Sequence, residues 1–199
     1  MFEKIRKKIE HSKVYKTNNG YKYFVYPYKG LEPVDPKEIN YLAKIVASRI
    51  DKDVDLLFTF EIDGIFITSA ISLLTGKPLV AARKFHYNLK NPIKLIQQSG
   101  YYKRNLFFSL EGYNIKKVAI IDCIHSTGGS IKAALKLFDE IGADVRGIYV
   151  VVNKINYNDH DFLKRVKNKF FAIYDVEIID NNLKVYKSKY FRNKKPHHS

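Results

Sequence analysis

Residues 118–138 read VAIIDCIHSTGGSIKAALKLF, and the pattern changes twice along the stretch. Residues 118–121 are an unbroken apolar run, as expected of a parallel strand covered on both faces. From Ser130 onward Ile131, Ala134, Leu135, Phe138 and Ile141 recur on one helical face, and Gly142 follows as a stop signal. Between the two, Asp122 closes the strand and Ser126-Thr127-Gly128-Gly129-Ser130 makes the turn. Small residues there admit a ligand to the backbone. Hydroxyls and unpaired N–H groups at a helix N-terminus favour an anion by roughly 0.3–2 kcal/mol. No lysine follows Gly129, which excludes a GxxxxGK[ST] loop. Ligands of parallel sheets bind beyond the carboxyl ends of the strands, so this joint is the expected phosphate site.

Outward from it the same alternation continues. Strands are expected at 54–60, 79–82 and 148–152. A helix is expected at 36–50, opened by Pro36, and another at 64–74, closed by Gly76. Residues 2–11 have a helical charge pattern, and 21–27 (YKYFVYP) alternate as an aromatic strand. Residues 83–105 show no period and read as a functional or mobile irregular stretch. The fold class is therefore α/β, a parallel sheet with helices on both faces. One domain spans residues 1–199: a core at about 36–153, appendages at 1–35 and 154–188, and a basic tail at 189–199.

The 199 residues are 46% hydrophobic with 15 Tyr and 13 Phe, which excludes a disordered chain. No run approaches the roughly 20 apolar residues of a membrane span, and MFEKIRKKIE has no signal-peptide core. A cytoplasmic protein is expected. The single cysteine, Cys123, excludes an internal disulfide and a cysteine-based zinc site. The net charge of +15 steers anions toward the surface, but the lysines are scattered along the chain. Nucleic acid is not the expected partner, and a membrane is excluded.

VAIIDCIHSTGGS resembles the phosphoribosyl-pyrophosphate (PRPP) signature of the type I phosphoribosyltransferases, most closely the archaeal hypoxanthine group and its adenine relatives. Four further matches follow in order over residues 10–188. Tyr23-Phe24-Val25-Tyr26-Pro27 resembles the N-terminal strand, Phe60-Glu61-Ile62-Asp63-Gly64 the pyrophosphate loop, Ala82-Arg83-Lys84 the Arg-Lys pair after the third strand, and Gly100-Tyr101-Tyr102-Lys103 the loop that closes over substrate. The resemblance implies the type I fold with a small hood built from the terminal segments. It implies transfer of 5-phosphoribosyl from PRPP to a purine, giving a nucleoside monophosphate and pyrophosphate, with Mg2+ held mainly by substrate, in a homodimer.

It also implies roles. Asp122 would serve the ribose and its developing charge. Ser126, Thr127, Gly128, Gly129 and Ser130 would hold the 5′-phosphate, and Glu61, Ile62, Asp63, Gly64, Arg83 and Lys84 the pyrophosphate. Tyr101 and Lys103 would cover the reaction. Lys154 would meet the purine 6-position, with Phe171 or Tyr174 as the stacking aromatic. Cys123 stands where the family has a second acid, a loss of about 10- to 150-fold for one charge-assisted hydrogen bond. Its thiol is expected to be partly buried and inert, and His125 half-exposed without a role. Relatives place Asp at Ser126 or Glu at Gly100 as a base, and neither is present. The Thr-Gly-Gly-Ser loop puts adenine narrowly ahead of hypoxanthine or guanine, against Lys154. The alternative is a PRPP- or nucleotide-sensing regulator on a degenerate phosphoribosyltransferase fold.

Overall fold

The computed structural model describes residues 1–98 and 103–193. In chain order the elements are α1 (Phe2–Glu10), β1 (Val14–Lys16), β2 (Lys22–Phe24), α2 (Pro36–Ala47), β3 (Leu56–Phe60), α3 (Asp63–Thr75) and β4 (Leu79–Ala82). Then follow β5 (Ile93–Gln98), β6 (Lys103–Phe108), β7 (Lys117–His125), α4 (Gly129–Glu140), β8 (Asp144–Lys154), α5 (His160–Val166), β9 (Phe170–Ile179) and β10 (Asn182–Lys187). The main sheet has the order β10-β9-β8-β7-β3-β4, parallel throughout except for the antiparallel edge strand β10.

Alternation along each strand divides the core in two. Leu57, Ala119, Ile121, Cys123, Tyr149, Phe171 and Ile173 face α1, α2 and α3. Leu56, Phe58, Val118, Ile120, Ile148, Val150, Phe170 and Ala172 face α4, α5 and the β5–β6 hairpin. The helices expected on both faces are there. Asp35 caps α2 by accepting the Lys37 amide at 2.9 Å, with Pro36 in the first turn. α2 stops at Ala47, short of the expected Ile50. There Ser48 Oγ and Arg49 Nη1 both donate to Ile45 O, at 3.0 and 2.6 Å.

The stretch read as irregular, 83–105, holds β5 and the first half of β6, which pair antiparallel as a hairpin. Leu95, Leu106 and Phe108 point into the core while Lys94, Ile96, Lys103 and Asn105 point out. Its alternation was masked because a polar residue, Gln97, takes an inward position. At the C-terminal end, β9 and β10 extend the sheet, and the segment above the cleft comes from β1–β2 and the 3-10 turn Ile155–Tyr157. The two are joined by the Lys22 amide donating to Tyr157 Oη at 2.9 Å. The tail read as starting at 189 begins as a 3-10 turn, Lys189–Arg192, whose Phe191 packs on Phe2 and Phe171. No helix among the described residues is long and apolar enough to cross a membrane.

Candidate active site

The carboxyl ends of β3 and β7 open into a cleft of about 320 Å3, within the range of small-molecule sites. Ser126, Thr127, Gly128, Gly129 and Ser130 all line it, as does Asp122. Gly128 has φ +78° and precedes α4, a left-handed turn that glycine adopts without strain. The loop is tied at both ends: Ser126 Oγ is 2.8 Å from Tyr21 Oη, and Ser130 Oγ accepts from Gln97 Nε2 at 2.7 Å. Asp122 Oδ1 accepts the Cys123 amide at 2.7 Å. Burial, aided by the nearby Asp63 charge and opposed by that backbone bond, pushes its carboxyl up to about 7.

On the other wall stands the turn before α3. Glu61 is buried, and its carboxylate accepts Arg83 Nε at 2.9 Å and the Lys84 amide at 3.2 Å, with Lys84 Nζ at 3.6 Å. Burial opposes its ionisation, but the Lys84 amide and Arg83 outweigh that and hold it below the usual carboxylate range. The Glu61 carboxylate and Arg83 therefore clamp this wall from behind. Arg83 is not among the lining residues, whereas Glu61, Ile62, Asp63 and Lys84 are. The Glu61–Ile62 peptide is cis. Asp63 pairs with Lys29 at 2.8 Å. A Cβ on Gly64 would fall 2.1 Å from Thr59 Oγ1 and 3.5 Å from Asp122 Oδ1, so only glycine lets α3 sit this close to β3.

The remaining expected residues divide. Lys154 ends β8 at the cleft, buried; its ammonium donates to Lys22 O and lies 4.1 and 4.3 Å from the ring centres of Tyr21 and Tyr157. Burial lowers its pKa to about 7. Phe171 and Tyr174, expected at the base, are fully buried in the core on the α2 side and do not line the cleft. Phe171 packs against Arg49 and Phe191, and Tyr174 Oη donates to Phe2 O at 3.0 Å. Lys103 is exposed on the outer face of β6, and Tyr101 lies outside the described residues. Cys123, one residue from Asp122 and so on the opposite face, is 2% exposed and donates its thiol proton to Asp63 O at 2.9 Å. His125, expected half-exposed, is buried beneath the loop.

Polar lining residues given no site role in the sequence include Tyr21, Lys29, Gln97 and Arg104. Arg104 donates to Gln97 Oε1 and, at 2.9 Å, to Glu61 O, joining the hairpin to the α3 turn. Its alternation with Lys103 was the available signal, had the hairpin been read. Together the cleft offers a helix N-terminus with hydroxyls, three cations (Lys29, Lys84, Arg104), three carboxylates (Asp63, Asp122 and the clamped Glu61) and an aromatic-flanked lysine. That set suits a polyanion with an uncharged ring at one end.

No family model matches the chain. It is 33% identical over 158 residues to the hypoxanthine/guanine phosphoribosyltransferase of Methanosarcina acetivorans, covering 77% of this chain and 81% of that one. The enzyme of the same name from Methanothermus fervidus is 30% identical over 188 residues, 93% of this chain and 97% of the relative. Among solved structures, the adenine phosphoribosyltransferase of Thermoanaerobacter pseudethanolicus superposes with a TM-score of 0.69 at 20% identity, over 88% of this chain and 99% of that one. With the phosphate-type loop at the end of β7 and relatives matched over most of their length, the chain belongs to the type I purine phosphoribosyltransferases, a family of pentosyl-transferring enzymes.

Proposed function

We propose that the protein transfers the 5-phosphoribosyl group of PRPP to a 6-oxopurine, hypoxanthine or guanine, with Lys154 donating to the 6-oxygen. The observation that carries the choice is the place of Lys154, a cleft-lining lysine whose ammonium donates to Lys22 O of β2 and is flanked by Tyr21 and Tyr157. The names of the archaeal relatives support it. The loop that favoured adenine serves the phosphate in this reading and leaves the base to the hood.

The 5′-phosphate rests on the hydroxyls and amides of residues 126–130 at the start of α4. Lys84, Arg104 and Lys29 take the pyrophosphate, and Asp122 accepts from the ribose hydroxyls. A purine nitrogen attacks the ribose anomeric carbon as its bond to the pyrophosphate oxygen breaks, and the departing electron pair stays on pyrophosphate. The purine proton passes to water or a phosphate oxygen. Catalysis rests on positioning and on charge already in place, Asp122 facing the oxocarbenium-like centre. Asp122 and Asp63 fit a hard cation as its only carboxylate contacts in the cleft beyond the clamped Glu61. Asp122 and Asp63, with substrate oxygens, would hold Mg2+, which would supply positive charge to offset that of the pyrophosphate leaving group.

The outer side of α3, with Phe66, Leu73 and Leu74 exposed, supports a homodimer as the working form. The deciding experiment is nucleotide formation from PRPP and Mg2+ with hypoxanthine, guanine, adenine, xanthine and uracil in parallel. Turnover of adenine above that of hypoxanthine and guanine would overturn the 6-oxopurine assignment. Absence of turnover with every base would overturn the enzyme reading.

A further inference from the structure

The helix that carries the phosphate loop has no side-chain cap. α4 starts after Gly128, which has no side chain, and nothing bonds its first turn from that position. His125 fills the space from below: its Nε2 lies 3.1 Å from where a Cβ on Gly128 would stand. The ring is 1% exposed, stacked on Phe162 at 6.2 Å and edge-on to Phe170 at 5.2 Å between ring centres.

Its tautomer follows from its neighbours. Asn153 Nδ2 donates to Asp175 Oδ1 at 2.7 Å, which turns Asn153 Oδ1 toward the imidazole, 3.0 Å from Nδ1. Nδ1 therefore carries the proton. Asp175 is fixed in turn by Ser188 Oγ at 2.9 Å and the Lys189 amide at 3.0 Å. With its amide nitrogen turned inward, Asn158 reaches Ser126 O at 3.2 Å, Lys154 O at 3.1 Å, Asn153 Oδ1 at 3.2 Å and Nδ1 itself at 3.1 Å; with Nδ1 protonated toward Asn153, the two Asn158 protons go to the oxygens. Nε2 then presents a bare lone pair, buried and without a hydrogen-bond partner among the described residues. A buried unpaired acceptor is costly. This one lies under the part of the chain richest in unpaired donors, the first turn of a helix.

We propose that His125 is a positioning residue of the phosphate loop: its Nε2 is the missing cap acceptor, taking an amide N–H of the first turn of α4 as the loop closes on the 5′-phosphate. The other amides are thereby held facing the phosphate. The inference rests on the reading of the loop as the 5′-phosphate site. The positive end of α4 favours a neutral imidazole with its lone pair toward the helix, and burial holds the ring's pKa near 4, so that it stays an acceptor at neutral pH.

Three variants separate this role from packing. His125→Gln carries an amide oxygen to the Nε2 position, His125→Asn keeps only the donor to Asn153, and His125→Leu keeps neither. The expected result is a KM for PRPP raised about 5- to 30-fold in His125→Asn and His125→Leu, the effect of one hydrogen bond to a buried acceptor, with kcat changed by less than about threefold. His125→Gln should lie close to wild type. In the wild-type protein, saturating ribose 5-phosphate should shift the side-chain 15N signal of Nε2 and leave Nδ1 in place. Equal KM in all variants, or His125→Gln as impaired as His125→Leu, would overturn the proposal. If the Asn and Leu variants do not fold, an Nε2 signal unmoved by ribose 5-phosphate overturns it. A wild-type protein that does not bind PRPP would instead overturn the reading of the loop, and the inference with it.

Discussion

Cys123→Asp restores the second acid of the family signature, and the structure says that it will harm the protein. The thiol is 2% exposed, packed on the α2–α3 side of the sheet, and its proton goes to Asp63 O at 2.9 Å. A carboxyl placed there leaves water without gaining a cation. Next door, Asp122 is already pushed up to about 7 by burial and by Asp63, so a carboxyl at 123, deeper and beside both, stays protonated at pH 7. Holding a proton from an unfolded pKa of about 3.9 up to pH 7 costs about 4 kcal/mol, at about 1.36 kcal/mol per unit. In a chain of this length each kcal/mol moves Tm by about 2–4 °C, so a fall of about 8–16 °C is expected. Because the folded-state pKa is raised, the deficit grows as pH rises above the unfolded value and shrinks below it, to about 1.5 kcal/mol at pH 5. Thermal unfolding by circular dichroism at pH 7 and pH 5 measures this, with Cys123→Ser, which keeps a donor for Asp63 O, as the control. A Tm within about 2 °C of wild type at pH 7, together with tighter PRPP binding by calorimetry, would falsify the placement of this side chain in the core.

Gly128→Val forces a β-branched residue into φ +78° and onto His125 Nε2 at 3.1 Å, which should cost about 1–3 kcal/mol of stability and abolish PRPP binding; calorimetric affinity equal to wild type would remove the 5′-phosphate assignment. Lys154→Ala should raise KM for hypoxanthine by about 10- to 150-fold, the worth of a charged hydrogen bond, with KM for PRPP nearly unchanged. Because its folded pKa is lowered to about 7, wild-type stability should also rise with pH between about 7 and the unfolded value near 10.4, a slope absent from the Ala variant in pH-dependent denaturant titrations. Glu38, buried with Lys4 at 2.8 Å, Lys8 at 3.0 Å and Tyr28 Oη at 3.1 Å, docks α1 onto α2. Burial opposes its charge, but those bonds prevail and hold its pKa below the ordinary range. Glu38→Gln should lose about 1.5–3 kcal/mol at pH 7, and the loss should vanish as pH falls below the unfolded value of about 4.3 through the lower folded one. Binding to duplex DNA, if +15 serves only steering, should fade near physiological salt, and deletion of residues 194–199 should leave nucleotide synthesis intact. Sub-micromolar DNA binding that responds to PRPP, without turnover, would favour the regulator. The truncation must stop short of Phe191, which packs on Phe2 and Phe171.

The succession β3, α3, β4 and then β7, α4, β8, the parallel sheet and the loop at residues 126–130 were legible in the sequence alone, because each follows from local physics: apolar runs, helical stripes, and glycine where the chain must turn at positive φ. The β5–β6 hairpin was not, since its alternation is broken by Gln97, a polar side chain turned inward to hold Ser130 and Arg104. Which face of a strand becomes a site was not legible either. Alternation alone says that Asp122 and Cys123 point oppositely, and that Phe171 shares a face with Ile173, but only the packing of α2 and α3 on one side and the opening of the cleft at the other end decide which is solvent and which is core. For the same reason Lys103 yielded its place to Arg104, and His125, read as a surface residue of a loop, came to lie under it. These are contacts between residues far apart in the chain, and their energies depend on what covers each side chain, a quantity that no window of sequence contains.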